Sequence, residues 1–248
     1  MFISKDFTFD SIDNSDYNVI LVEFDSDILN EIGVVYKRDI SREDGSTYNP
    51  TFNVENGEPD DIVLNLMLVD DNMIPKVWSE EDIINVKKWI IKDEFKPFIS
   101  QDNPDYIYYF QCSNIRKKFT TKGEGVLEVT FKPMDCFVYK KYSKTITVDA
   151  TASLSISNPT NEDYFPIIEI TNKGDNSTIN KINELEIEGL NKDEGVTIDN
   201  LMLTVLNGDI NKFKCCNRKW IKLNPGTNTL NLSGNCEVKI LAEFPIML

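Results

Sequence analysis

Histidine is absent from all 248 residues, and that one absence removes a large share of enzyme chemistry. Imidazole is the usual general base, general acid and metal ligand near neutral pH. Without it, Ser-His-Asp and Cys-His hydrolases and most zinc enzymes are excluded. Cysteine is scarce: Cys112, Cys136, Cys215, Cys216 and Cys236 are an odd set of five without C-x-x-C spacing, which gives neither a zinc site nor a disulfide framework. Neighbours Cys215 and Cys216 would face opposite ways on a strand, which argues against a mutual bridge. All five read as small apolar fillers with free thiols. Glycine and proline are few, at 11 and 10, so nothing resembles an extended disordered tail. Long apolar runs are missing too, none approaching the ~18 residues of a membrane span. The opening Met1-Phe2-Ile3-Ser4-Lys5-Asp6 is broken by charge before a signal core could form. The expectation is a protein made and kept in the cytoplasm, with no membrane partner.

Basic residues are in deficit, 26 against 41 acidic, for a net charge of −15. Such a surface repels a polyanion, so sequence-specific nucleic-acid binding is not expected. The densest basic stretches, Arg116-Lys117-Lys118 and Lys140-Lys141, are short and read as solvated turns beside strand ends. No G-x-x-x-x-G-K-[ST] or G-x-G-x-x-G occurs, and Gly123 and Gly125 precede a strand rather than a helix, so they cradle no phosphate. No cofactor is implied.

Acidic pairs are the remaining catalytic option, since two carboxylates about 5 to 9.5 Å apart suffice for glycoside hydrolysis. The candidates are Asp60-Asp61, Asp70-Asp71, Glu80-Glu81 and Asp25-x-Asp27. Each sits at a turn or helix start, where acids serve capping and solvation. Asp25-x-Asp27 is followed by Ile28 and Leu29, not by the ligands and glycine of a calcium loop. The chain is therefore expected not to be an enzyme. Exposed aromatics could stack on sugars, with Trp220 in Arg218-Lys219-Trp220-Ile221-Lys222 the best candidate; the plainer reading is an inward-facing Trp between outward-facing lysines.

What is present is mostly β. Tyr17 to Phe24 and Ile62 to Val69 are apolar and β-branched runs bounded by turn formers, as buried strands are. Between them, the polar, turn-rich segment from Arg38 to Asp61 reads as a long loop or an extended hairpin arm, a candidate assembly arm. Ser79-Glu80-Glu81-Asp82 is a helix start, with a Ser N-cap and acids at the positive end of the dipole. Ile83, Val86 and Ile90, with Trp89 beside them, share one face. This predicts one amphipathic helix of roughly four turns, about 79–95, which Pro97 cannot continue. Together with Phe98 and Phe131, these four residues are the expected core. A strongly aromatic strand begins at Tyr106, and Lys122-Gly123-Glu124-Gly125 turns a hairpin back through Val126 to Phe131.

After Tyr142 the character changes to short strands with turn signals between them. Ile167–Ile170, Leu185–Glu188, Leu201–Val205, Leu230–Leu232 and Val238–Leu241 are separated by Asn-Gly, Pro-Gly and Ser-Gly, the pattern of a β-sandwich of roughly a hundred residues. The expectation is two domains, 1–143 and 144–248.

From Val77 to Tyr142 the chain resembles the distal tail protein (Dit) family of tailed bacteriophages. The residues that carry this are Val77-Trp78-Ser79-Glu80-Glu81-Asp82 opening the helix, Lys88-Trp89-Ile90 within it, Phe95-Lys96-Pro97-Phe98 after it, Tyr106-Ile107-Tyr108-Tyr109, and the hairpin Gly123 to Lys132. The second half is similar in Asn158-Pro159-Thr160, Phe165 to Ile170, Val196-Thr197-Ile198-Asp199 and Leu223-Asn224-Pro225-Gly226-Thr227-Asn228. The resemblance implies a split-barrel ring domain with one helix followed by a galectin-like β-sandwich. It implies a structural hub of the virion tail tip, assembled in the bacterial cytoplasm as a homo-oligomeric ring, usually a hexamer. The ring would join the tail tube protein to the tail-tip protein and anchor receptor-binding proteins, while DNA passes through its lumen without specific binding. Family members with their own receptor-binding module insert it in the second domain, which here is only as long as one sandwich requires, implying a bare hub. Galectin sugar binding uses a histidine, which this chain lacks. A carbohydrate-binding module for cell-wall glycan and a carboxylate-pair glycosidase are the alternatives.

Overall fold

The computed structural model describes residues 4–23, 37–41, 51–55 and 59–247. The chain divides into two compact units, Met1–Val138 with Met247–Leu248, and Tyr139–Ile246. The described strands of the first unit are β1 (Phe7–Phe9), β2 (Ile12–Asp13), β3 (Val19–Val22), β4 (Lys37–Ser41), β5 (Thr51–Glu55), β6 (Ile62–Leu68), β7 (Lys96–Ser100), β8 (Tyr106–Phe119) and β9 (Gly125–Pro133), with the helix α1 (Glu80–Ile90) between β6 and β7. β4 and β5 pair with each other as a separate two-stranded sheet. The rest follow the antiparallel order β2-β1-β7-β8-β9-β6-β3.

Alternation sets the inner face of that sheet, because successive side chains on a strand point opposite ways. Leu64 and Leu66 on β6 stand opposite Val129 and Leu127 on β9, and all four are buried in one cluster with Phe7, Phe9, Phe98, Phe110 and Phe131. Strands β1 and β3, from opposite sides of that order, are tied to each other. The Leu21 N–H donates to the Lys5 carbonyl at 3.0 Å. Buried Asn14 accepts from the Phe7 N–H at 2.8 Å and donates to the Val19 carbonyl at 2.5 Å. At the β8–β9 turn, Gly125 has φ +149, and a Cβ there would meet the Lys118 carbonyl oxygen at 2.1 Å. Only glycine allows that approach.

Helix α1 starts where its local chemistry places it. The Ser79 Oγ accepts from the Asp82 N–H, and the Asp82 carboxylate accepts from the Ser79 N–H, both at 3.1 Å, a reciprocal capping box. It stops at Ile90, short of the expected 95 and after 11 residues, about three turns. Lys87 and Lys88 fall in the last turn. Continuation would have put Asp93 and Glu94 at the negative end of the dipole. Ile83, Val86, Trp89 and Ile90 are buried, each worth roughly 1.5–3 kcal/mol of apolar transfer. Trp89 is the centre of this face: it stacks on Tyr17 at 4.6 Å and Phe7 at 5.7 Å, and its indole N–H donates to the Phe9 carbonyl at 2.9 Å.

The second unit contains most of β10 (Phe137–Asn158), then β11 (Ile167–Asn172), β12 (Asn180–Ile182), β13 (Leu185–Ile187), β14 (Gly195–Asp199), β15 (Thr204–Asn207), β16 (Ile210–Asn211) and β17 (Gly226–Met247). Its apolar cluster includes Val148, Ile156, Ile168, Ile198, Leu223, Ile240 and Phe244. Two expectations are corrected here. Leu201–Leu203 do not begin a strand but form a turn before β15. Ser233-Gly234 does not separate two strands either: Leu230–Leu232 and Val238–Leu241 belong to the single strand β17. Its first part pairs with β12 at Lys181↔Ser233 and its second with β11 from Asn172↔Cys236 to Ile167↔Leu241. Gly234, at φ +123, is where the strand changes neighbour, and a Cβ there would meet the Asn180 side-chain oxygen at 2.4 Å. The strand bends there rather than reversing.

Buried amides hold that bend. Asn172 donates to the Leu190 carbonyl at 2.8 Å and the Asp175 carbonyl at 2.9 Å, and its oxygen accepts from the Asn180 amide at 3.0 Å. The Asn180 oxygen in turn accepts from the Asn235 N–H at 3.1 Å.

Trp89→Ala is expected to cost roughly 3–5 kcal/mol in chemical denaturation, because it empties the helix–sheet contact; a loss under about 1 kcal/mol would place Trp89 outside the core. Asn172→Ala is expected to cost about 3 kcal/mol by stranding the Leu190 carbonyl and the Asn180 amide. The exposed-site control Asn191→Ala should cost under about 1 kcal/mol, and equal losses for the two variants would refute this account of Asn172.

Candidate assembly surfaces

Of the segment 38–61, residues 42–50 and 56–58 lie outside the described residues. What is described is an antiparallel ladder, β4 on β5, registered from Lys37↔Glu55 to Ser41↔Thr51. Among the described residues, this part of the segment is paired strand backbone. Two-stranded ribbons standing by themselves are marginal in water, and unpaired strand edges are templates for pairing with another chain.

The expected core residues Ile83, Val86, Trp89, Ile90, Phe98 and Phe131 are all buried in one cluster of the first unit. The candidate acid pairs serve local structure. Asp70 accepts from the N–H groups of Asn72 and Ile74, both at 2.9 Å; Glu80 pairs with Lys117 at 3.1 Å; Asp60 and Asp61 are exposed beside β6. Asp25 and Asp27 lie outside the described residues. Among the described residues no group of three or more His, Cys, Asp or Glu side chains is placed to hold a metal. All five cysteines are free thiols. Burial pushes the Cys112 and Cys216 thiols up, and that of Cys236 to about 11, so these three stay protonated and are poor nucleophiles at neutral pH. No helix among the described residues is long and apolar enough to cross a membrane.

Two turns present large apolar side chains to solvent on a fixed backbone. In the first unit, Met73 at φ +62 and Ile74 are 59% and 58% exposed in the turn that Asp70 caps. In the second, Leu201, Met202 and Leu203 are 67%, 70% and 51% exposed. The Asp199 carboxylate accepts from the Leu201 and Met202 N–H groups at 2.9 and 2.8 Å. Buried Asn200 fastens the base of this turn, donating to the Pro166 carbonyl at 2.6 Å and accepting from the Ile221 N–H at 2.8 Å. Apolar character led to the strand expectation for Leu201–Leu203, whereas Asp199-Asn200 was the available turn signal. Contiguous exposed apolar groups of this kind mark contact surfaces.

Charge divides unequally between the units. Residues 1–138 hold 14 basic and 27 acidic side chains, net −13, and residues 139–248 hold 12 and 14, net −2. The first unit thus repels polyanions far more strongly than the second.

Residues 2–133 match the family described as phage tail protein N-terminal domain, and residues 137–242 match the phage tail C-terminal domain. The SPbeta prophage-derived uncharacterized protein YomH of Bacillus subtilis (strain 168) is 22% identical over 255 residues, covering 97% of both chains. In fold the chain is similar to the Dit protein (gp 19.1) of phage SPP1, with a TM-score of 0.56 at 14% identity over 96% of this chain and 98% of that one. It is also similar to a chain of the phage P2 baseplate in its activated conformation with Ca, with a TM-score of 0.51 at 12% identity over 96% and 97%. With the N-terminal family alone spanning more than half of its residues, the chain belongs to the phage tail protein family.

Proposed function

We propose that this chain is the distal tail protein of a tailed phage or prophage. In this reading it is a non-enzymatic hub whose copies close into a ring, a hexamer, between the tail tube protein and the tail-tip protein. Receptor-binding proteins attach to it, and it resides at the tail tip of the virion after assembly in the host cytoplasm. The observation that carries the reading is the likeness in fold to the SPP1 Dit protein, which is described as a paradigm of the hub adsorption apparatus in phages infecting Gram-positive hosts. The likeness runs through both units, over 96% of this chain.

The ring reading uses features of this chain. The β4–β5 ribbon offers strand edges that closure around a symmetry axis would cover. The net −13 of the first unit suits a wall that DNA passes without sticking, because cations there would hold DNA through counterion release.

The direct test is immunogold labelling of intact particles with antibody against this chain. Label at the tail tip alone is expected; label along the tube, or on the head, would overturn the reading. Removing residues 37–55 and joining the ends through a short glycine-serine linker should leave far-UV circular dichroism and the unfolding midpoint close to wild type while abolishing ring assembly. A shortened chain that still assembles would exclude the arm as the contact.

A further inference from the structure

The region from Ile210 to Cys236 runs against the charge of the whole chain: it holds Lys212, Lys214, Arg218, Lys219 and Lys222 and no acidic residue. Three of these cations are matched by carboxylates from elsewhere in the unit. Lys212 meets Glu194 at 2.5 Å and holds that carboxyl down to about 2. Lys222 meets Asp163 at 2.8 Å, and Lys219 lies 3.9 Å from Glu184. Lys214 and Arg218 are exposed and make no ion pair among the described residues.

Arg218 is held in place. Its backbone is left-handed at φ +66, its N–H donates to the Cys216 sulfur at 3.2 Å, and its guanidinium lies over the Phe213 ring, 4.9 Å from the centroid. Left-handed backbone at a residue other than glycine is strained, and such strain collects at functional sites. Phe213 sits 6.0 Å from Trp220 at 33°. Trp220 is not the inward residue of a strand: it lies outside the strands, half-buried, with part of its ring against the core. The other two tryptophans donate their indole N–H, Trp78 to the Gly125 carbonyl and Trp89 to the Phe9 carbonyl, both at 2.9 Å. The Trp220 N–H has no acceptor among the described residues.

This surface combines three open donors, Lys214, Arg218 and Trp220, with the aromatic face of Trp220, while the Phe213 ring lies under the Arg218 guanidinium. Donors without acceptors select a ligand rich in acceptors and negative charge, and an aromatic face beside cations selects one with flat or puckered rings. We propose that Lys214, Arg218 and Trp220 form a binding site for an anionic polysaccharide, with a sugar ring on the Trp220 face and acid groups on Lys214 and on Arg218, which Phe213 holds in place. Nucleic acid fits less well. Duplex DNA carries a charge about every 1.7 Å, more than two open cations can match in a chain of net −15. A glycan with about one acid per sugar meets them sparsely, and of the acids in the neighbouring segment Glu184 and Glu186 are already paired with Lys219 and Lys181. The site uses no histidine and stands independently of the ring.

The test is affinity electrophoresis of the full chain through gels holding polygalacturonate, dextran sulfate, neutral dextran or a single-stranded DNA oligonucleotide, each with acrylamide quenching of tryptophan fluorescence. Retardation by a carboxylated or sulfated polysaccharide, with protection of the half-buried Trp220 from quenching, is expected, and neutral dextran should have no effect. Lys214→Gln combined with Arg218→Gln, both exposed and off the core, should weaken binding at least about tenfold. Trp220→Phe, which keeps a ring on the core but loses the indole N–H, should weaken it severalfold. Absence of binding to either anionic polysaccharide, unchanged binding in the double variant, or DNA binding as tight as polysaccharide at equal charge would overturn the proposal.

Discussion

A buried backbone group without a hydrogen-bond partner costs roughly 1–3 kcal/mol, and a β-protein incurs that cost wherever a strand leaves its neighbour. Here the solution is asparagine. Asn14, Asn158, Asn172, Asn180 and Asn200 are all buried, and their amides supply donors and acceptors where the ladders break. Asn14 joins β1 to β3 in the first unit. Asn172 and Asn180 hold β17 at Gly234, where it exchanges β12 for β11. Asn200 does the same beneath the exposed Leu201–Leu203 turn. An asparagine side chain can donate twice and accept twice, so a single residue satisfies several main-chain groups that no regular ladder reaches.

Fixing the irregular backbone in this way allows the surface to carry features that cost stability. Large apolar residues in turns and left-handed backbone at Met73, Leu203 and Arg218 are all unfavourable in an isolated monomer. They sit on turns anchored by side-chain hydrogen bonds, not on loose loops. The two units also differ electrically, net −13 against −2. In the proposed hub a strongly acidic first unit would suit the wall of a DNA channel, and the cations of the second unit would suit contact with an acidic ligand.

What was legible in the sequence was what local chemistry decides. Ser79 and Asp82 mark the start of α1 because both halves of the capping box lie within four residues. The end of α1 was less legible, since Pro97 is a distant stop and the acids at Asp93 and Glu94 act earlier. Leu201–Leu203 has the composition of a strand, and only the capping by Asp199 and Asn200 makes it a turn. Ser233-Gly234 has the composition of a turn, yet the partners of β17 lie on both sides of it and keep it extended. The buried asparagines were not legible at all, because asparagine is common in turns and its buried partners are far away in sequence. Resemblance to the distal tail family rested on the order of weak motifs along the chain, and the family match over both halves agrees with it.

The central claim is assembly of this chain into a closed hub, and the mass of the purified protein in solution tests it most directly. Multi-angle light scattering behind a size-exclusion column, run from micromolar to near-millimolar protein with and without the tail tube and tail-tip partners, measures that mass. The account predicts one discrete species at a fixed multiple of the chain, six for a hexamer, with no larger open polymers. A strict monomer under every condition, or a mass that grows without limit as concentration rises, would contradict it.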